Sequence, residues 1–336
     1  MGARRGPPRW WAIWALALLL SACGAGAGGG GQSGSSGGKL STVVVGLVST
    51  NTADWPVFLA EAHGFFRQHG IAVQEVITGG PAQSADQLAT GAVDLASDGT
   101  DSWIRAVAQH LPVTIVAPEF ITDPYSLITV PSISSWNDLK GRKVILGTTT
   151  DVTAISFSAM ARAHGLSQSD FTVITAGSTN ARYAALQSGN VDAAMLTQPF
   201  DILAESQGMH VLATSKQYVP KWIFTTIGVN TSWARDHRSQ IVAFLKALEQ
   251  GIAYGYAHPD DAIAIMAKRS KVPTAEVKKA YDLDFTQWHA FSKTLSIPQD
   301  SLQTVVGAVV QQGTVRQAPA SSALYDASYV RQANAG

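Results

Sequence analysis

Apolar and polar positions fall into blocks along this 336-residue chain, and the order of the blocks repeats. Residues 39–48 read as a buried strand carried by Val43, Val44, Val45 and Leu47. A polar run follows at 49–54. Residues 55–69 then place Val57, Phe58, Leu59, Ala62, Phe65 and Phe66 at the spacing of one helix face. Gly70 suits a left-handed helix stop. A strand is predicted over 71–77, a short helix over 84–90 ending at Gly91, and a third strand from Val93. About a hundred residues later the order returns. It gives a strand at 143–147, a polar loop at 148–153, a helix stopped by Gly165, a strand at 171–175 and a helix at 181–188. At a shift of 98, Leu88, Gly91, Val93, Asp94 and Ala96 match Leu186, Gly189, Val191, Asp192 and Ala194. Two strand–loop–helix units of equal size predict two α/β lobes.

The lobes need not be contiguous. Residues 125–130 and 224–229 both read as strands and are expected to pair as crossovers between the lobes. Beyond Thr231 the pattern is helical, with Ile241, Val242, Phe244, Leu245, Leu248 and Ile252 on one stripe. Pro259, Asp260 and Asp261 open another helix. The expected division is residues 39–128 with 226–336 as the first lobe and 129–225 as the second.

The first 38 residues change the picture of where the protein works. Arg4, Arg5 and Arg9 precede an eleven-residue uncharged apolar run at 10–20. That is too short to span a bilayer, which takes about 20 residues, and it fits a signal peptide over 1–22. Leu20-Ser21-Ala22-Cys23 resembles a bacterial lipobox, so Cys23, the chain's one cysteine, is expected to carry acyl chains. Two such chains hold a protein stably at a membrane. Residues 23–38, almost wholly Gly, Ala and Ser, read as a flexible tether. Loss of 1–22 removes three arginines and no acid, leaving 21 basic against 24 acidic residues. That balance gives no basic footprint for nucleic acid. A single cysteine excludes a disulfide framework.

At this point the residues resemble a known family, the substrate-binding proteins of bacterial ABC importers, in the nitrate/sulfonate/taurine and thiamine-precursor (pyrimidine) group. The resemblance is carried by the segments at 54–66 (DWPVFLAEAHGFF), 91–94 (GAVD), 138–144 (DLKGRKV), 186–194 (LQSGNVDAA) and 257–262 (AHPDDA). It implies a type II periplasmic-binding-protein-like fold: two lobes, each a mixed sheet flanked by helices, joined by two crossover hinge strands. It also implies a small polar ligand captured by hinge closure and delivered to an ABC permease and its ATPase. The bearer is expected to be a lipid-anchored, extracytoplasmic bacterial monomer without cofactor, metal or catalysis. The alternatives are an enzyme of the thiamine-precursor synthase type and a ligand-sensing partner of a membrane receptor.

In such sheets ligands bind beyond the carboxyl ends of strands, where helix N-termini offer free amides. The candidate loops supply Thr50, Asn51, Asp54 and Trp55, then Asp98, Gly99 and Thr100 from the first lobe. The second supplies Thr149, Thr150, Asp151 and Thr153, then Thr179, Asn180 and Arg182, then Gln198. Trp222 stands just before the return crossover. The same hydroxyls and carboxylates also suit helix caps. Arg182 opposes the dipole of the helix it opens, so an anionic ligand group is one reason for it. Asp54, Asp98 and Asp151 instead suit an amine or ring N–H, and a zwitterion or polar heterocycle satisfies both. No nucleophile elbow or zinc-protease helix motif occurs in the sequence.

Overall fold

The computed structural model describes residues 39–335. The signal-peptide, lipobox and tether readings, with Cys23, lie outside the described residues. Among the described residues there are ten strands: β1 (Ser41–Leu47), β2 (Ile71–Ile77), β3 (Leu95–Gly99), β4 (Val113–Phe120), β5 (Ser126–Thr129), β6 (Lys143–Leu146), β7 (Thr172–Thr175), β8 (Ala193–Leu196), β9 (His210–Thr214) and β10 (Thr225–Asn230). They form two five-stranded sheets, ordered β2-β1-β3-β10-β4 and β7-β6-β8-β5-β9. In the first, β1 runs parallel to β2 and β3, and β10 is antiparallel to β3 and β4. In the second, β6 runs parallel to β7 and β8, and β5 is antiparallel to β8 and β9. Both sheets thus have one topology, the type II order. The antiparallel strand of each is delivered by the chain as it crosses from the other half.

The repeat has a chemical cause. Asp94 Oδ2 accepts the backbone N–H of Val44 at 2.8 Å, and Asp192 Oδ2 accepts that of Lys143 at the same distance. Each aspartate's own N–H returns a bond to the neighbouring strand, to Val44 O and Lys143 O. The preceding glycines, Gly91 and Gly189, stop their helices at φ +76° and +72°. A side chain at either position strains the turn. The Gly-x-Val-Asp signature therefore stops a helix and then clamps the third strand onto the first.

The crossover strands do not pair with each other. The chain leaves the first sheet at Phe120 and enters the second at Ser126, and it returns between Thr214 and Thr225. Residues 126–128, expected in the first half, belong to the second sheet. An apolar run buried on both faces carries no mark of which sheet it joins. The crossing segments meet through backbone bonds, Phe224 N to Phe120 O and Ser215 N to Tyr125 O, both 2.8 Å. Phe224 also sits edge-on to Phe120 and Tyr125, with ring centroids 6.1 and 5.3 Å apart. One contiguous apolar core runs from Val43, Val45 and Leu47 through these aromatics to Leu127, Val144 and Met195. The alternate residues Ile128, Ile145, Ala194 and Leu196 face the other side of the second sheet in a smaller cluster. Among the described residues no helix is long and apolar enough to cross a membrane.

Candidate functional site

The carboxyl ends of β1 and β3 face those of β6 and β8 across a cleft beside the crossing. The cavity measures about 40 Å³ and opens to solvent. Asn51, Asp54, Ser97, Asp98, Gly99 and Asp101 line it from the first sheet. Asp151, Gly177, Thr179, Arg182 and Thr197 line it from the second, and Tyr125, Phe224 and Thr225 form the wall at the crossing.

The two walls touch. Thr52 N donates to Gln198 O at 3.3 Å. Arg105 Nη1, on the helix Thr100–Ala108, donates to Thr150 O at 2.8 Å. Gly177 lies against Gly79 and Gly80, so close that a Cβ there would stand 2.9 Å from both Gly79 O and Gly80 Cα.

Of the residues expected at a ligand, Asn51, Asp54, Asp98, Gly99, Asp151, Thr179 and Arg182 line this cleft. Thr150 lines a neighbouring hollow with Thr148, Arg105 and Asp151. The others stand elsewhere. Thr149 and Asn180 face solvent, and Thr50 is half-buried outside the cleft. Thr153 donates to Asp151 Oδ1 and accepts from Gly147 N. Thr100 reaches Thr226 Oγ1 at 3.4 Å. Gln198 donates to Pro124 O and Asp201 Oδ2. Trp222 is 1% exposed and walls no part of the cleft.

Trp55 is wholly buried in the first half, with its indole N–H on Ala262 O at 2.9 Å and its ring edge-on to Tyr281 and Phe285. It is a core residue, placed one turn earlier than the helical stripe suggested. Trp55→Ala is expected to cost about 3–5 kcal/mol of stability, read as a lowered urea midpoint.

Several polar groups are caps as well as wall. Asn51 accepts from Ala53 N, and Asp151 from Thr153 N and Ala154 N. Arg182 is 1% exposed. Its Nε donates to Met195 O at 2.6 Å, and its Nη1 to Ala176 O and Gly177 O, both at 2.9 Å.

Carboxyls dominate the wall from the first sheet. Burial pushes Asp54 and Asp98 well above the usual carboxylate range; Glu119 adds to the rise at Asp54 and Asp101 to that at Asp98. Burial raises Asp151 as well, followed by the charge of Asp101, with Thr153 and Arg182 pulling it back. Behind the wall, burial carries Glu119 up to about 7, against hydroxyl donation from Ser97 and Thr225.

Glu119, Asp101, Tyr125 and Phe224 escaped the sequence reading. A glutamate next to last in the mostly apolar run 113–120 was the available signal for Glu119. Asp101 in the first turn of a helix passes for ordinary dipole compensation. Nothing local marks Tyr125 or Phe224, which become wall only because the chain crosses there.

The model of a family described as NMT1/THI5 like matches residues 51–262, more than half of the chain. The chain belongs to that family. The NMT1/THI5 like segment contains most of the cleft loops, from Asn51 to Thr225. A Haemophilus influenzae protein named for thiamine biosynthesis is 27% identical over 213 residues, 61% of this chain and 66% of its own length. The 4-amino-5-hydroxymethyl-2-methylpyrimidine phosphate synthase THI13 of Saccharomyces cerevisiae is 25% identical over 142 residues, 41% of this chain and 40% of that protein. The chain thus spans less than two thirds of the length of these relatives. Among solved structures, the periplasmic nitrate-binding protein NrtA from Synechocystis PCC 6803 superposes with a TM-score of 0.74 at 15% identity, covering 88% of this chain and 89% of that one. At that identity the likeness shows the periplasmic-binding-protein fold, and the fold alone.

Proposed function

We propose that this protein is the solute-binding component of an ABC importer. Its two lobes, residues 39–128 with 226–336 and residues 129–225 adjusted to the crossing at 121–125, close on a small polar organic molecule. The closed form is presented to a permease and its ATPase. The protein works as an extracytoplasmic monomer held to the bacterial membrane by acyl chains on Cys23. The carrying observation is the cleft itself: buried polar groups of both sheets face one space, and its rim is bridged by the backbone of Thr52 and Gly177 and by the Arg105 guanidinium. A ligand that touches both walls favours closure by its differential affinity alone, and about 5.5 kcal/mol suffices to move the closed state from 1% to 99%.

Gly177→Ala tests this reading. The added methyl meets backbone atoms of the facing wall, which cannot rotate away. Overpacking of this kind costs about 1–3 kcal/mol, and the cost falls only on the closed form. The expected result is a loss of affinity of about 5- to 150-fold, with unchanged thermal stability without ligand. The ligand is first identified by native mass spectrometry of protein purified from its host. Small-angle scattering should show compaction on binding in wild type and less in the variant. Equal affinity in both would sink the closure mechanism, and turnover of the co-purified molecule would replace transport with the synthase reading.

A further inference from the structure

Asp54, Asp98 and Asp101 stand on the same wall of the cleft at 2%, 2% and 1% exposure. Asp54 ends the turn that leads into the helix Trp55–Ala62, Asp98 is next to last in β3, and Asp101 is second in the helix Thr100–Ala108. Asp98 Oδ1 accepts from Gly99 N, and Asp101 Oδ2 pairs with Arg105 Nη2. The second oxygens, Asp98 Oδ2 and Asp101 Oδ1, have no partner among the described residues. A buried acceptor left in this state is costly, and more so when ionised.

The charges around them do not balance. From their own half, Asp54, Asp98 and Asp101 face Glu119, Arg105 and the Ser84 hydroxyl, with Glu75 farther off and itself paired to Arg269. From the facing half come Asp151 and Arg182. Arg105 is held by Asp101 and Thr150 O. Arg182 is held by three carbonyls and lies beside Asp151, both within reach of one point above Gly147. Two guanidiniums therefore answer four lining carboxyls, and Asp54 and Asp98 are the pair left over.

We propose that this wall receives the positively charged end of the ligand, an ammonium or amidinium group, and that its arrival displaces a proton from the wall. The inference rests on the solute-binding reading and names the ligand class for it. The exchange balances: a neutral carboxylic acid and an organic cation give an ion pair and one proton released to buffer. Burial supplies the starting state, since it disfavours the carboxylate until a counter-charge comes. Nitrate and simple sulfonates bring the wrong sign to this wall. A zwitterion is admitted with its cationic end here.

The probes are acetamidinium and ethylammonium as cations and nitrate and methanesulfonate as anions, titrated calorimetrically into the full chain at pH 7 in phosphate and in Tris. The two buffers differ in ionisation enthalpy, so the apparent heats report protons released. The expected result is binding of a cation probe with up to one proton released, tightening as pH rises from 5 to 7, and no binding of either anion. Asp98→Asn keeps the shape and should weaken the cation at least tenfold; Asp54→Asn gives the same reading should the first variant fold poorly. Anion binding without cation binding overturns the proposal, as does cation binding without proton release or indifference to both variants. Failure of all four probes up to 10-fold above about 1 mM also overturns it. The importer reading fails separately, when the molecule co-purified from the host produces no compaction.

Discussion

Arg182→Ala is expected to lower stability by about 3–5 kcal/mol, the range for removing one partner of a buried charged cluster. The guanidinium does structural work at the ends of two strands. Its Nε bond reaches Met195 O inside β8, and its Nη1 bonds reach Ala176 O and Gly177 O just past β7. It also lies 5.7 Å from the ring centroid of Tyr125. Alanine leaves three carbonyls without these donors and Asp151 without the cation that draws its pKa down. Lysine supplies charge but no fork, so Arg182→Lys should recover only part of the loss. Urea unfolding at pH 7 reads the difference. A residue that only touched ligand would lower affinity and leave the urea midpoint alone; a stability loss below 1 kcal/mol would return Arg182 to that role. Affinity should fall too, because the loop at 176–177 carries the close approach between the walls.

The parts of the fold legible in the sequence are those with a local chemical cause. Gly91 and Gly189 announce helix stops with a strand directly after each, and both sit where the pattern placed them; the clamp that Asp94 and Asp192 make shows only in the structure. The loops that form the cleft were legible for the same reason, since polar residues between a strand and a helix lie at a strand's carboxyl end. Which of their side chains turn inward was not. Thr149 and Asp151 stand two residues apart in one loop, and one is exposed while the other is 3% exposed and capping a helix. Cap geometry, not hydroxyl content, makes that choice. The first crossing was misplaced because β5 lies in a strand-forming run, 125–130, that fits either sheet equally well. The carboxyl wall was legible only as separate aspartates. It takes form when Asp54, Asp98 and Glu119, contributed by three separate elements, converge behind one surface.

The buried acids give the ligand-free protein a stability that falls as pH rises from 5 to 8. Burial holds Glu119 and Asp201 up at about 7 and Asp123 at about 6, against ordinary values of 4.5 for glutamate and 3.8 for aspartate. Their partners are hydroxyls, amides and one side-chain amide: Ser97 and Thr225 at Glu119, Ser126 and Gln198 at Asp201, Ser156 and Tyr125 N at Asp123. None of these is a cation, so nothing compensates ionisation. The sign follows from proton counts. Between the unfolded and folded values, the folded state keeps protons that the unfolded chain has released, and stability declines with pH across that window. Above about 8 these three groups are ionised in both states and their part of the decline ends. Each of the two groups near 7 contributes on the order of 2–3 kcal/mol over the range. Asp138, Asp170 and Asp300 shift the other way through hydrogen bonds from neighbouring Ser and Lys groups, but they titrate below this window. Calorimetric or urea unfolding at pH 5 and pH 8, at matched ionic strength, should therefore show the protein more stable at pH 5 by several kcal/mol. Glu119→Gln should flatten the profile by removing one titrating group while keeping the Ser97 contact. Equal or greater stability at pH 8 would mean that these carboxyls are ionised in the fold, and that the wall beside them already holds its own counter-charge.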